Sequence, residues 1–211
     1  DADIVEMAKL EGFYIHIFQY SEESPKYLIR RLEESPEFFT ELICCGYKAS
    51  SEKDKQLDDK ERERITNLAS RSYTIFSIWK SYPGHELEEN KRDEKIREWC
   101  TLTLELTDKA DRKYVGQHKV GAVLSRVPPP KKDGIWPCLV AREYIENGYD
   151  EIVQGLYTAN FNSRGVTSRM PTAGGSQERD KAKFYRDNAK KIQYEYPQTS
   201  AFLINIAESY E

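Results

Sequence analysis

Helical spacing of apolar residues recurs along almost the whole chain, and it constrains the fold more than any other feature. From residue 65 to 79, from 96 to 110 and from 120 to 127, apolar side chains return at steps of three or four. That spacing places them on one face of an α-helix, whereas a half-buried strand alternates at every second residue. The sequence therefore predicts an all-α fold, an irregular multi-helix bundle or array of about nine to ten helices.

The N-terminal segment is ambiguous between helix and strand. The stretch from residue 13 to 18 is rich in the aromatic and β-branched residues that strands favour. A longer pattern through the same stretch has helical spacing, and its length favours a helix. A short strand near the N-terminus is the alternative. The helical stripe consists of Met7, Leu10, Phe13, Tyr14, Ile17 and Phe18.

Prolines indicate where several helices begin and end. Ser24, Ser35 and Tyr196 each precede a proline, which the first turn of a helix tolerates. Ser24 and Ser35 are also natural N-cap residues. Three consecutive prolines at 128–130 end another helix, because proline cannot continue the hydrogen-bond ladder. The helices follow no fixed period, so an exact solenoid repeat is not supported.

Composition fits a single helical domain spanning residues 1–211. The chain is 38% hydrophobic and 32% charged, with a net charge of −4, which excludes a disordered tail and a uniformly basic nucleic-acid protein. Residues 48–60 are mostly charged and predict an exposed loop or linker. Both ends of the chain fall inside helical patterns, so we expect a fragment of a longer protein.

Two features favour a cytoplasmic location. No apolar run approaches the roughly 20 residues that cross a bilayer, so we expect no membrane contact. The N-terminus also lacks the basic segment of a signal peptide. The four cysteines have no C-x-x-C or zinc-binding spacing, which is typical of reduced thiols.

Residues suited to catalysis are few. Among the three histidines, His85 precedes a glutamate but lacks the second histidine of the zinc-binding H-E-x-x-H motif. P-loop, nucleophile-elbow, dinucleotide-binding and EF-hand motifs are also absent from the sequence. We therefore predict no catalytic residue, no metal and no cofactor. A hydrolase that combines His85 or His118 with distant carboxylates is an alternative.

A glycine- and arginine-rich loop at 162–179 is the most unusual stretch. Residues 163–191 hold eight Lys and Arg against three Asp and Glu, and the cations of the following helix step by four, three and four. Such a stripe can simply cover the edge of a core, bind a partner protein, or hold a phosphate or nucleic acid at a helix start. The candidate binding residues are Arg164, Arg169, Arg179, Lys183, Arg186 and Lys190.

Several short motifs, taken in order, carry a family resemblance. The set resembles the helical C-terminal region of a family of very large, poorly characterised bacterial multidomain proteins, and it spans the chain from about residue 24. The motifs are Pro36-Glu37-Phe38-Phe39, Pro83-Gly84, Asp133-Gly134-Ile135-Trp136-Pro137, Asn162-Ser163-Arg164-Gly165-Val166, Gly174-Gly175-Ser176-Gln177-Glu178-Arg179, Tyr196-Pro197 and Ala207-Glu208-Ser209-Tyr210-Glu211.

The resemblance implies an all-helical region without activity of its own, in proteins associated with signalling ATPases or sensors of antiviral defence. It supplies no catalytic residues. Together with the residue patterns it favours a non-catalytic interaction, scaffold or sensor domain that binds another domain of its parent chain or a partner protein. A nucleic-acid or phosphate-ligand module that uses the loop and basic helix edge at 162–191 is the alternative.

Overall fold

The computed structural model describes residues 2–51, 58–163 and 175–211, and all regular secondary structure within them is helical. This confirms the all-α prediction, and the count of helices is close to the one expected. In chain order the helices are α1 (Ala2–Phe13), α2 (Ile15–Phe18), α3 (Lys26–Glu34), α4 (Pro36–Gly46), α5 (Asp59–Ile78), α6 (Glu89–Lys109), α7 (Lys113–Leu124), α8 (Leu139–Glu146), α9 (Asp150–Asn162), α10 (Ser176–Ile192) and α11 (Pro197–Glu208).

The short N-terminal strand considered as an alternative is wrong. The Tyr14 N–H donates to the Leu10 carbonyl at 3.1 Å, and the Ile17 N–H donates to the Tyr14 carbonyl at 2.9 Å. These local bonds satisfy the backbone within the segment, whereas a strand would need a partner strand. The length of the helical pattern therefore outweighs the local strand propensity.

Side chains cap the starts of several helices. The Ser35 hydroxyl accepts from the Phe38 N–H at 3.1 Å, which confirms the predicted cap of α4. Asp58 caps α5 in the same way. The predicted Ser24 cap is wrong, because α3 begins at Lys26, two residues later. The Leu28 N–H of its first turn instead donates to the carboxylate of Glu11 from α1, at 2.7 Å.

The chain divides into two compact units, one up to Val120 and one from Gly121. We call them the N-terminal and the C-terminal unit, and the expected single domain stays a prediction. Of the predicted loop at 48–60, residues 48–51 lie outside the helices, and Ser51 is bonded through its N–H to the Asp111 carboxylate at 2.7 Å. Residues 52–57 of that loop lie outside the described residues.

An aromatic cluster forms the core of the N-terminal unit. Phe39 of α4 packs edge-on against Phe76, Trp79 and Trp99, with ring centroids 4.8–5.8 Å apart. The Trp99 indole N–H donates to the Leu32 carbonyl at 3.1 Å, so its polar atom is satisfied although the ring is buried. This cluster ties α3, α4, α5 and α6 together.

A buried arginine organises the C-terminal unit. Arg142 of α8 is fully buried and donates to both carboxylate oxygens of Asp133, at 2.7 and 3.1 Å. It also donates to the Pro137 carbonyl at 3.0 Å and to the Ile135 carbonyl. The conspicuous Asp-Gly-Ile-Trp-Pro motif therefore has a structural role, since its backbone wraps around this guanidinium.

The helix pair α10–α11 completes the C-terminal unit. Ala182, Ala189 and Ile192 of α10 are buried. The Glu146 carboxylate accepts from the Thr199 N–H at 2.7 Å and so caps the start of α11. Among all the described helices of both units, none is long and apolar enough to cross a membrane.

Candidate interaction cleft of the N-terminal unit

An open cleft between α1, α3, α4 and α5 is the main candidate site. Its volume is about 170 Å³, close to that of an engineered apolar cavity, about 150 Å³, that binds benzene. The floor consists of the buried side chains Ala8, Leu28, Leu42 and Ile75. A cleft of this size and lining can take one aromatic or branched aliphatic side chain.

Gly12 of α1 keeps this cleft open. A Cβ built on Gly12 would meet only the Leu28 Cδ1 atom, at 3.8 Å, which is an ordinary van der Waals contact. A larger side chain at this position would therefore extend into the cleft rather than collide with backbone. Ala8, one turn earlier, is the other small residue of the α1 wall.

The apolar stripe of the N-terminal segment faces solvent beside the cleft. Except for the half-buried Phe18, its side chains are between 40% and 55% exposed, while Ala8 and Ile15, on another face of the segment, are buried. Contiguous exposed apolar side chains of this size mark interaction sites on soluble proteins. We call this set the N-terminal apolar face: Met7, Leu10, Phe13, Tyr14 and Ile17.

Three cations, which we call the cationic rim, line the same cleft: Lys9, Arg31 and Arg71. The Arg31 guanidinium lies 4.3 Å from the centre of the Phe38 ring, and that of Arg71 lies 5.2 Å from the Phe13 ring. Within the part of the chain that the structure describes, none of the three forms an ion pair. No carboxylate of the described residues is therefore bound directly to these cations.

Cys45 lines the cleft and is exposed. Partial burial, with smaller contributions from Cys44 and Glu41, raises the pKa of its thiol above the usual value. Since the thiolate is the reactive form, we expect Cys45 to be alkylated more slowly than an unperturbed thiol, and more slowly still when a ligand covers the cleft. This makes Cys45 a natural reporter of occupancy.

A second cleft, of about 640 Å³, contains His85. Its Nδ1 lies 3.3 Å from the Glu33 carboxylate, and Nε2 lies 3.8 Å from that of Glu86. Glu33 is buried and also accepts a hydrogen bond from the Ser81 hydroxyl. Ser81 in turn accepts from the Trp79 indole N–H at 3.0 Å, so the pair is anchored to the aromatic core.

The structure brings only part of the predicted basic site together. Arg164 and Arg169 lie outside the described residues. On α10, Arg179, Lys183 and Lys190 are exposed, so these three face solvent as the stripe predicts.

Arg186 is the exception within this stripe. It is half-buried and donates to Glu211, with one bond of 2.8 Å. The hydrogen bond raises the pKa of Arg186 and lowers that of Glu211. The basic helix edge is therefore partly neutralised within its own unit.

Sequence reasoning missed the apolar cleft. A glycine and an alanine one turn apart, on a different face from the apolar stripe, could have indicated a close approach or a cavity on that side of α1. The converging cations come from separate helices, so their proximity has no local pattern.

His118, the other histidine considered for catalysis, is half-buried on α7.

No group of three or more metal-ligating side chains occurs among residues 2–51, 58–163 and 175–211. Comparisons with known proteins found no matching family model, curated protein or solved structure.

Proposed function

We propose that this chain is a non-catalytic helical interaction module that binds a partner protein, or another domain of a longer parent protein, at the apolar cleft of its N-terminal unit. The observation that carries the proposal is the open apolar cleft between α1, α3, α4 and α5. The bacterial, defence-associated parent that the family resemblance implies stays a prediction.

Burial supports a protein as the occupant of this region. A single large side chain fills the cleft of about 170 Å³, but it cannot also bury the exposed side chains of the N-terminal apolar face beside it. Interfaces commonly combine an anchor in a pocket with surrounding contacts that exclude water. A partner helix that places one side chain in the cleft and lies along α1 would provide both.

The first experiment tests whether the cleft accepts such an anchor. N-acetyl-phenylalaninamide presents a single aromatic side chain, and we expect it to slow alkylation of Cys45 and to shift the amide resonances of α1, α3, α4 and α5. Gly12→Leu fills the cleft from within, and we expect it to abolish both effects. Gly12→Ala is the matched control, because its side chain is too small to fill the cleft.

Two results would contradict the proposal. One is that the probe leaves the alkylation rate and the resonances unchanged up to the limit of its solubility. The other is that Gly12→Leu binds the probe as well as Gly12→Ala does. Cys45→Ser identifies the labelled thiol, and circular dichroism melting shows whether each variant keeps its fold.

The basic edge of α10 keeps the nucleic-acid alternative open. Its three exposed cations would bind phosphates with an affinity that falls steeply as salt rises. A titration with single-stranded DNA at low and high salt tests it. Failure to bind at low salt, or binding that salt does not affect, would reject that function.

A second candidate function follows from His85. With the proton on Nδ1 and donated to Glu33, Nε2 is the basic nitrogen, which is the arrangement a general base needs. We expect such a hydrolase to cleave p-nitrophenyl acetate faster than free imidazole does and to lose this activity in His85→Gln. Equal rates for the two proteins would reject it.

A further inference from the structure

The charge of the apolar cleft narrows the chemistry of its partner. Lys9, Arg31 and Arg71 come from three different helices, α1, α3 and α5, and line one cleft. None of the described residues that line the cleft is acidic. The whole chain carries −4, so this local excess of positive charge is opposite in sign to the protein.

The acidic residue at this end of α1 forms no ion pair with the rim. Glu11 directs its carboxylate to the Leu28 N–H at 2.7 Å, where it caps the start of α3. The two guanidinium groups rest on aromatic rings, which hold them in position without neutralising them. Positioned cations around an apolar cleft attract a ligand that is apolar at its centre and anionic at its edges.

We infer that the partner of this cleft is an acidic amphipathic helix, with one large apolar side chain entering the cleft and Asp or Glu residues on either side facing the cationic rim. This inference rests on the proposed function. The apolar side chain supplies the burial, and the carboxylates supply the orientation and discriminate against basic segments.

Two other occupants fit the observations less well. A long acyl chain with a carboxylate has the same mixed chemistry, but a cleft of about 170 Å³ holds only a few methylene groups and leaves the N-terminal apolar face bare. A second copy of this chain, pairing through the same face, would bring a second cationic rim close to the first. Like charges at that distance oppose association.

The test uses two synthetic peptides of about 16 residues, long enough to form a helix once bound. Both carry the same Phe and Leu anchors at helical spacing; one has glutamates at the flanking positions and the other has lysines. Binding to the full chain is followed by fluorescence anisotropy at about 50 and 200 mM salt, conditions that differ in charge screening.

We expect the glutamate peptide to bind at least about tenfold more tightly than the lysine peptide, with a preference that shrinks at higher salt. The double variant Arg31→Gln, Arg71→Gln should lose most of this preference. The matched control Lys91→Gln, Lys113→Gln removes two exposed cations of the same unit that do not line the cleft, and it should keep the preference.

The outcomes separate this inference from the function on which it rests. Equal binding of both peptides, blocked by Gly12→Leu, overturns the acidic partner and leaves the interaction cleft in place. Binding of neither peptide at about 1 mM, or binding that Gly12→Leu does not affect, overturns both. If decanoate displaces the glutamate peptide at a lower concentration than unlabelled peptide does, the ligand of the cleft is an acyl chain rather than an acidic helix. If the chain self-associates and Gly12→Leu removes this self-association, the occupant is a second copy of the chain.

Discussion

Replacing the buried Arg142 with methionine removes the guanidinium around which the 133–137 loop folds. Methionine has a similar volume and no charge, so the cavity term is small. The change deletes two hydrogen bonds to Asp133 and those to the carbonyls of Ile135 and Pro137. The buried carbonyls of Ile135 and Pro137 then lose this donor, whereas Asp133 keeps the Ile135 N–H. The unfavourable free energy falls on the folded state alone.

The expected loss in free energy of unfolding is about 3 kcal/mol at neutral pH, the lower end of the range for breaking a buried ion pair. The lower end applies because the Asp133 side chain is 23% exposed, so water partly replaces the guanidinium there. Arg186→Met is the matched control. It also removes a bidentate arginine–carboxylate pair of the C-terminal unit, but one at the surface, and we expect little change.

The pH dependence provides an independent check. Burial pushes the pKa of Asp133 upward, but the Arg142 hydrogen bond, the Ile135 N–H and nearby cations together hold it below its usual value. A lowered pKa means that ionised Asp133 stabilises the fold above about pH 4, the pKa of the unfolded chain. This contribution is lost as the pH falls through the folded-state pKa, so the difference between wild type and Arg142→Met should narrow in acid.

Urea unfolding, with hydrogen exchange of the α8 amides to localise the change, measures both effects. A loss below about 1 kcal/mol at pH 7 would refute the role assigned to Arg142, because solvated carbonyls would then be as stable as bonded ones. A difference from wild type that is the same at pH 7 and pH 3 would refute the contribution of ionised Asp133.

Two further substitutions test packing and a buried carboxylate. Gly121→Ala places a Cβ 2.1 Å from the Ile152 carbonyl oxygen. We expect urea unfolding to show a free energy of unfolding lower by about 2–3 kcal/mol, as for other overpacked sites. If Gly121→Ala lowers this free energy less than Gly12→Ala, whose Cβ meets no close contact, the prediction is wrong. Glu33→Gln weakens the contact with His85 in a buried site, and we expect thermal melting to detect a loss of about 1–2 kcal/mol. An unchanged melting temperature would mean that the pair has no structural role.

The local sequence pattern was sufficient to predict that the chain is helical, but not to predict how the helices pack. Ser35 was identified as a cap from two adjacent letters, because an N-cap bonds to a backbone group only three residues away. Ser24 had the same local signal, but the start of α3 is instead satisfied by Glu11, a residue 17 positions from its partner. A cap from another helix has no local signature.

The candidate site was predicted less well than the fold. The basic stripe of α10 follows from helical spacing, yet spacing could not show that Arg186 is engaged by Glu211, which is 25 residues away. The apolar stripe of α1 was correctly interpreted as helical. Periodicity alone, however, gives the same pattern for an apolar stripe that packs in the core and for one that is exposed to solvent.

The sequence by itself determined the all-α class, the approximate number of helices and the lack of a recognisable catalytic motif, because each depends on residues within a few positions of one another. The tertiary structure alone decided which apolar face of α1 is buried and that cations from α1, α3 and α5 line one cleft. It alone also decided that His85 meets Glu33 and that Arg142 holds the 133–137 loop. These features depend on contacts between separate helices, and a single sequence carries no signal for which distant residues meet.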